Sequence, residues 1–121
     1  MKNKELGLPY SENGMEKILV AFDVDGTIIN GDAETYANML QILVSFLAQK
    51  WKNVDVIVWS GGGADYARTQ LERRSDFFRG RNIWHSKMEY EQLRQKYQKV
   101  IAFDDIQDTR LGDANLIVRN K

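Results

Sequence analysis

The chain contains no cysteine, one histidine and one proline. The first absence excludes disulfides, thiolate metal sites and a cysteine nucleophile. An excess of either charge is missing too: 17 Lys and Arg balance 17 Asp and Glu, for a formal net charge of zero. That balance gives no sign of a general affinity for nucleic acid or for a membrane. Long apolar runs are also lacking. The longest apolar-rich stretch, Met39 to Ala48, is interrupted by Gln41 and Ser45, whereas a bilayer span takes about 20 apolar residues. Met1 to Lys17 is polar and holds no signal-peptide core. These absences lead to the expectation of a soluble, cytoplasmic protein. The remaining composition is ordinary, with 43% hydrophobic residues in 121. A chain of this size makes one domain and buries roughly 65% of its unfolded surface.

Read in order, residues 1–16 carry Gly7, Pro9 and Gly14 among charges without periodicity, and are expected to form a tail. The domain is expected over 17–121. Ile18 to Asp23 reads as a buried strand. Asp32 is a candidate N-cap with Glu34 in the first turn. Tyr36, Leu40, Leu43 and Leu47 then recur at helical spacing, which predicts a helix over about 33–50. Asp55 to Ser60 is a second buried strand, followed by the loop Gly61-Gly62-Gly63 and a helix over about 64–76. Asn82 to His85 is a short strand and Glu89 to Tyr97 a helix. Lys99 to Asp104 is a further buried strand, Asp105 to Asp113 is mostly turn, and Asn115 to Val118 is a last strand. This alternation predicts an α/β domain with a mainly parallel five-stranded sheet flanked by helices.

Three of these strands end in Asp23, Ser60 and Asp104. A parallel sheet brings such ends to one edge, where open α/β sheets bind ligands. Asp23 and Asp25 stand one residue apart at the end of the first strand. Carboxylates that close repel unless a cation lies between them, and Mg2+ favours a few carboxylates with waters and phosphate oxygens. The Ser60 hydroxyl and the glycine backbone from Gly61 onward, placed before a helix, suit an anion such as phosphate. Lys87 opens a predicted helix, where a cation opposes the helix dipole, and a residue that breaks a local rule is a functional candidate. Asp104, Asp105 and Asp108 form a second acidic group. The plainer readings are an Asp-Gly turn after the first strand, a glycine loop that only turns the chain, a solvated lysine and an acidic capping turn. The last of these leaves the strand-end Asp104 unexplained.

Asp23-Val-Asp25-Gly-Thr27 behind a hydrophobic strand resembles the first motif of the haloacid dehalogenase (HAD) superfamily. Ser60 after Val56-Ile-Val-Trp59 resembles the second motif, Lys87 the third, and Asp104-Asp105-Ile-Gln-Asp108 the fourth, all in the family's order. The resemblance implies a Rossmann-like core and a Mg2+-dependent phosphohydrolase. Asp23 would be the nucleophile and Asp25 the general acid/base, with its carbonyl on the metal. Ser60 and Gly61 would bind the phosphoryl group, and Lys87, with Arg81 as fallback, would steady its charge. Asp104 would ligate the metal directly and Asp108 through a water, with Asp105 able to exchange roles with either.

Residues 26–54 and 61–86 leave no room for the cap domain that many such enzymes insert, and the flap after the first motif shrinks to Ile28–Gly31. The implied protein is a capless member with an open site. Its substrate is a small or macromolecular phosphate, and such members shield the site in some cases by forming a homo-oligomer.

Two other readings share these features. A polynucleotide 3′-phosphatase would use the basic residues Arg68, Arg73, Arg74, Arg79, Arg81 and Lys87 on a nucleic-acid end, although the neutral net charge does not favour it. A phospho-acceptor module such as a receiver domain has a similar acidic pocket, but carries its phosphorylated Asp on a middle strand, and the middle strand here ends in Ser60. A third reading is a HAD-like domain that binds a partner without turnover. His85 and the three tryptophans, Trp51, Trp59 and Trp84, are expected to pack rather than to react.

Overall fold

The computed structural model describes residues 16–30, 34–49, 51–105, 112 and 114–117. Asp32, Asp108 and Val118 lie outside the described residues.

The strands are β1 (Ile18–Asp23), β2 (Ile29–Asn30), β3 (Glu34–Thr35), β4 (Val54–Ser60), β5 (Trp84–Ser86), β6 (Lys99–Asp104) and β7 (Ala114–Ile117). The α-helices are α1 (Ala37–Ala48), α2 (Ala64–Glu72) and α3 (Tyr90–Arg94), with 3-10 turns at Asp76–Phe78 and Lys87–Glu89. Strands β5, β4, β1 and β6 lie side by side in that order, and β7 continues the sheet beyond β6. Every pairing in this sheet is parallel. The α/β class and parallel sheet read from the sequence are therefore present.

Strand β1 sits in the middle because both its faces are apolar. Val20 and Phe22 join Met39 and Leu43 of α1 and Ala67 and Leu71 of α2 in one core. Leu19 and Ala21 point the other way, with Ile57, Trp59, Val100 and Ala102, and α3 covers them through Leu93. This is the two-residue alternation of a strand buried on both sides. Phe22 is fully buried and stacks on Phe103 at 4.6 Å between ring centroids. Burying one such side chain stabilises the fold by about 2–3 kcal/mol.

Several element boundaries differ from expectation. The first helix starts at Ala37, not near 33, and its N-cap is Tyr36 with no side-chain cap. Glu34 and Thr35 instead pair antiparallel with Asn30 and Ile29, and the Tyr36 N–H donates to the Ile28 carbonyl at 2.7 Å. The flap is thus a short hairpin rather than a remnant confined to Ile28–Gly31. Pairing with the fully buried Ile28 and Ile29 segment outweighs the local helix signal. Helix α2 ends at Glu72, because Ser75 leaves the helix and caps a 3-10 turn by accepting from the Phe77 N–H. The third strand is shifted to Trp84–Ser86. The helix expected over 89–97 splits into a 3-10 turn and the short α3, since Ser86 and Glu89 form a capping box around Lys87. Trp59 is fully buried and Trp84 packs edge-on against Phe78, whereas Trp51 is half exposed. Among the described residues, no helix is long and apolar enough to cross a membrane.

Candidate active site

The sheet order positions the site. From β1 the chain proceeds outward through β4 to β5, then returns to the other side of β1 for β6 and β7. The reversal falls between β1 and β6, and ligands of open α/β sheets bind outside the strand carboxyl ends at such a point. Asp23 ends β1 and Asp104 ends β6, with Phe22 and Phe103 in register behind them. Ser60 ends β4 on the other side, one residue beyond the partner of Asp23. Ser86 pairs with Ser60, so β5 delivers Lys87 to the same edge.

Lys87 joins the two sides. Its Nζ lies 2.8 Å from Asp23 Oδ1 and 2.8 Å from Asp104 Oδ2. Asp23 and Asp104 are both buried, and carboxylate oxygens of Asp23, Asp104 and Asp105 lie within 4.8 Å of one another. Thr27, fully buried, donates its hydroxyl to the other oxygen of Asp23 at 3.2 Å. Asp105 reaches the group over Gly26, whose φ of 80° keeps the turn after β1 tight. A Cβ at Gly26 would collide with the Asp105 carboxylate.

The electrostatics follow from this crowding. Burial pushes the Asp23 carboxyl up to about 7; the Lys87 ammonium opposes the shift, and the negative charges of Asp104 and Asp105 add to it. Burial works to lower the Lys87 ammonium, but hydrogen bonds to Asp104 and Asp23 outweigh it and hold the group above its ordinary value. Asp105 is also raised, first by desolvation and then by its hydrogen bond with Asp104. If all three carboxylates were ionised, the single ammonium would leave two negative charges in excess. A divalent cation carries the matching charge, and an all-oxygen donor set suits a hard ion such as Mg2+.

Asp25 stands apart from this group. It is exposed, and its Oδ1 accepts a hydrogen bond from the Tyr66 hydroxyl at 2.8 Å. In the loop after β4, the Gly62 N–H donates to Ser60 Oγ at 3.0 Å and the Gly63 N–H to the Ser60 carbonyl at 3.2 Å. Two of the N–H groups expected to face an anion thus close the loop on itself. Gly61 has open space where a Cβ would stand, so a ligand can approach its backbone. The bond from Gly62 uses a lone pair of Ser60, whose own O–H remains a donor.

Asp23 and Asp104 stand at neighbouring strand ends, as the sequence suggested for them, and Lys87 and Asp105, which the sequence does not mark as strand-end residues, join them. Arg81, the fallback for Lys87, is engaged elsewhere: its guanidinium lies 4.0 Å from the Phe77 ring centre and its Nε donates to the Phe77 carbonyl. His85 interacts with Glu89 through Nδ1 at 3.1 Å. In the basic segment, Arg68 pairs with Asp65 and Glu72, and Arg79 with Asp76. Sequence reasoning missed Tyr66, for which no local pattern gives a signal. The role of Thr27 was open to detection as the hydroxyl four residues after Asp23, one helical turn's worth of chain folded into a tight turn. Comparison with known protein families, with characterised proteins and with solved structures finds no match to this chain.

Proposed function

We propose that this chain is a small, capless phosphatase of the HAD type, a Mg2+-dependent phosphomonoesterase that works through an aspartyl-phosphate on Asp23. The observation that carries the reading is Lys87 bridging Asp23 and Asp104 at the sheet's reversal point, with Asp105 in the same group. An Asp nucleophile needs a cation beside it to tolerate an incoming phosphoryl group, and phosphoryl transfer depends chiefly on positioning and charge stabilisation.

Asp23, Asp104 and Asp105 would hold the metal, joined by the carbonyl of Asp25. When bound, Mg2+ offsets the charge on the phosphoryl oxygens. Thr27 donates to one Asp23 oxygen and Lys87 contacts the other, so the two hold the carboxylate in place for attack on phosphorus. The ester P–O bond breaks as the Asp23–phosphorus bond forms, and the Asp25 carboxyl gives its proton to the departing oxygen. Asp25, now a carboxylate, takes a proton from water as that water attacks the aspartyl-phosphate. Inorganic phosphate leaves and the Asp23 carboxylate is restored. Ser60 and the backbone at Gly61 would receive the phosphoryl oxygens.

The strand order counts against a receiver domain. There the first strand lies between the second and the third, whereas here it lies between the second, β4, and the fourth, β6. The internal pairing of Arg68 and Arg79 counts against a nucleic-acid end as the preferred substrate.

The test is hydrolysis of p-nitrophenyl phosphate and of a panel of sugar, nucleotide and 3′-phosphorylated oligonucleotide esters, with Mg2+ or with chelator. Release of phosphate that needs Mg2+ and disappears in Asp23→Asn is expected. Activity that survives in Asp23→Asn, or a wild type inert on the whole panel, overturns the reading.

A further inference from the structure

The Tyr66 side chain touches both loops of the site. Its hydroxyl donates to Asp25 Oδ1 at 2.8 Å, in the loop after β1. Its ring lies against Gly62, in the loop after β4, where an added Cβ would come within 3.3 Å of the ring. Gly62 in turn donates its N–H to Ser60 Oγ. The ring therefore rests on the proposed phosphate-binding loop, while the hydroxyl holds the carboxylate assigned to proton transfer.

Asp25 needs such a partner. It is exposed and lies outside the group of carboxylates gathered by Lys87. An exposed aspartate samples several rotamers, and proton transfer requires a carboxyl within hydrogen-bond reach of the departing oxygen. Misplacement by about 1 Å costs on the order of a hundredfold in rate. A phenol suits the task because it donates one hydrogen bond without bringing a charge beside the metal site.

We propose that Tyr66 is a positioning residue for the phosphatase reaction, holding the Asp25 carboxyl on the departing-oxygen side of the phosphoryl group. This inference rests on the phosphatase reading. It goes further in one respect: the contribution of Tyr66 depends on how badly the departing oxygen needs a proton. A p-nitrophenolate ion leaves unprotonated, whereas an alkoxide does not. Asp23 and Lys87 serve both esters equally, and Asp25 serves both as the base in the later hydrolysis of the aspartyl-phosphate, but in the first step only the alkyl ester needs the Asp25 proton.

The experiment compares wild type with Tyr66→Phe on p-nitrophenyl phosphate and on an alkyl phosphate, both with saturating Mg2+. The substitution keeps the ring on Gly62 and removes only the hydroxyl, so the melting temperature is expected to stay unchanged. The expected result is a fall in the first-turnover rate of alcohol or phenol release of about tenfold or more on the alkyl ester against at most about threefold on the aryl ester, with KM unchanged on both. Tyr66→Leu, which also removes the ring, is expected to raise KM in addition. Equal losses on the two esters, or none, overturn the positioning role while leaving the phosphatase reading intact. A wild type that hydrolyses neither ester overturns that reading and this inference with it.

Discussion

Gly26 and Asp105 occupy one place from two directions. The backbone of Gly26 turns with φ of 80°, and the Asp105 carboxylate fills the space its side chain would take. The turn after β1 thus closes against the side chain of Asp105, the residue directly after β6. Gly26 and Asp105 together shape the acidic group.

Gly26→Ala should therefore damage both stability and metal binding. A residue with a Cβ is strained at this φ, and the clash displaces Asp105. The expected cost is about 1–2 kcal/mol of stability, with weaker binding of Mg2+. Thermal melts with and without Mg2+ measure both. An alanine variant that melts and binds like wild type would show that Asp105 does not depend on this turn.

The metal-free protein should lose stability as pH rises from about 4 to about 7. Asp23 is raised from 3.8 to about 7 in the folded state, chiefly by burial. The folded protein keeps a proton that the unfolded chain has already released, so each step up in pH across this window favours unfolding, and the effect levels off above it. The change attributable to Asp23 is about 2–4 kcal/mol. Denaturant titrations of wild type and Asp23→Asn at several pH values isolate it, because the asparagine cannot titrate. Mg2+ should stabilise wild type more at pH 8 than at pH 5. A difference between the two proteins that stays constant with pH would contradict the buried, crowded carboxylate described here.

Lys87→Met should be more harmful in the metal-free protein than with Mg2+ present. Removing the ammonium leaves two buried carboxylates facing each other, and breaking a buried ion pair from one side costs about 3–5 kcal/mol. Protonation at low pH, or a bound divalent cation, relieves the repulsion. Hydrolysis of p-nitrophenyl phosphate should fall by roughly a hundredfold or more, since charge stabilisation at phosphorus is lost. Unfolding curves at pH 5 and pH 8, with chelator and with Mg2+, give the comparison. A loss that is the same in all four conditions would mean that Lys87 packs rather than balances charge.

Asp25→Asn should divide the reaction in two. Attack by Asp23 on p-nitrophenyl phosphate needs no proton for the departing group, so the first turnover should proceed. Hydrolysis of the aspartyl-phosphate should then slow, because no base activates water. Stopped-flow traces should show a burst of about one equivalent of p-nitrophenolate per site before slow turnover. Steady turnover at the wild-type rate, with no burst, would remove Asp25 from the second step.

The sequence by itself determined the central strands of the sheet and what stands at their ends. Ile18 to Asp23 and Lys99 to Asp104 are short apolar runs too hydrophobic for any place but a sheet covered on both faces, and such a sheet is built from parallel strands. Parallel strands carry their carboxyl ends to one edge, so Asp23, Ser60 and Asp104 were legible as neighbours before any coordinates. The start of α1 was not, because Asp32 and Glu34 carry a good local helix signal and only pairing with Ile29 and Asn30 draws Glu34 and Thr35 into a hairpin. The contacts that finish the site belong to tertiary structure as well. Lys87 reaches Asp23 and Asp104, Tyr66 reaches Asp25, and Asp105 fits over Gly26, each across a long stretch of intervening chain. Residue type and spacing encode hydrophobic period and local geometry. They do not encode which distant side chains meet, and that was decided only when the cores on both faces of β1 packed and fixed the loops above them.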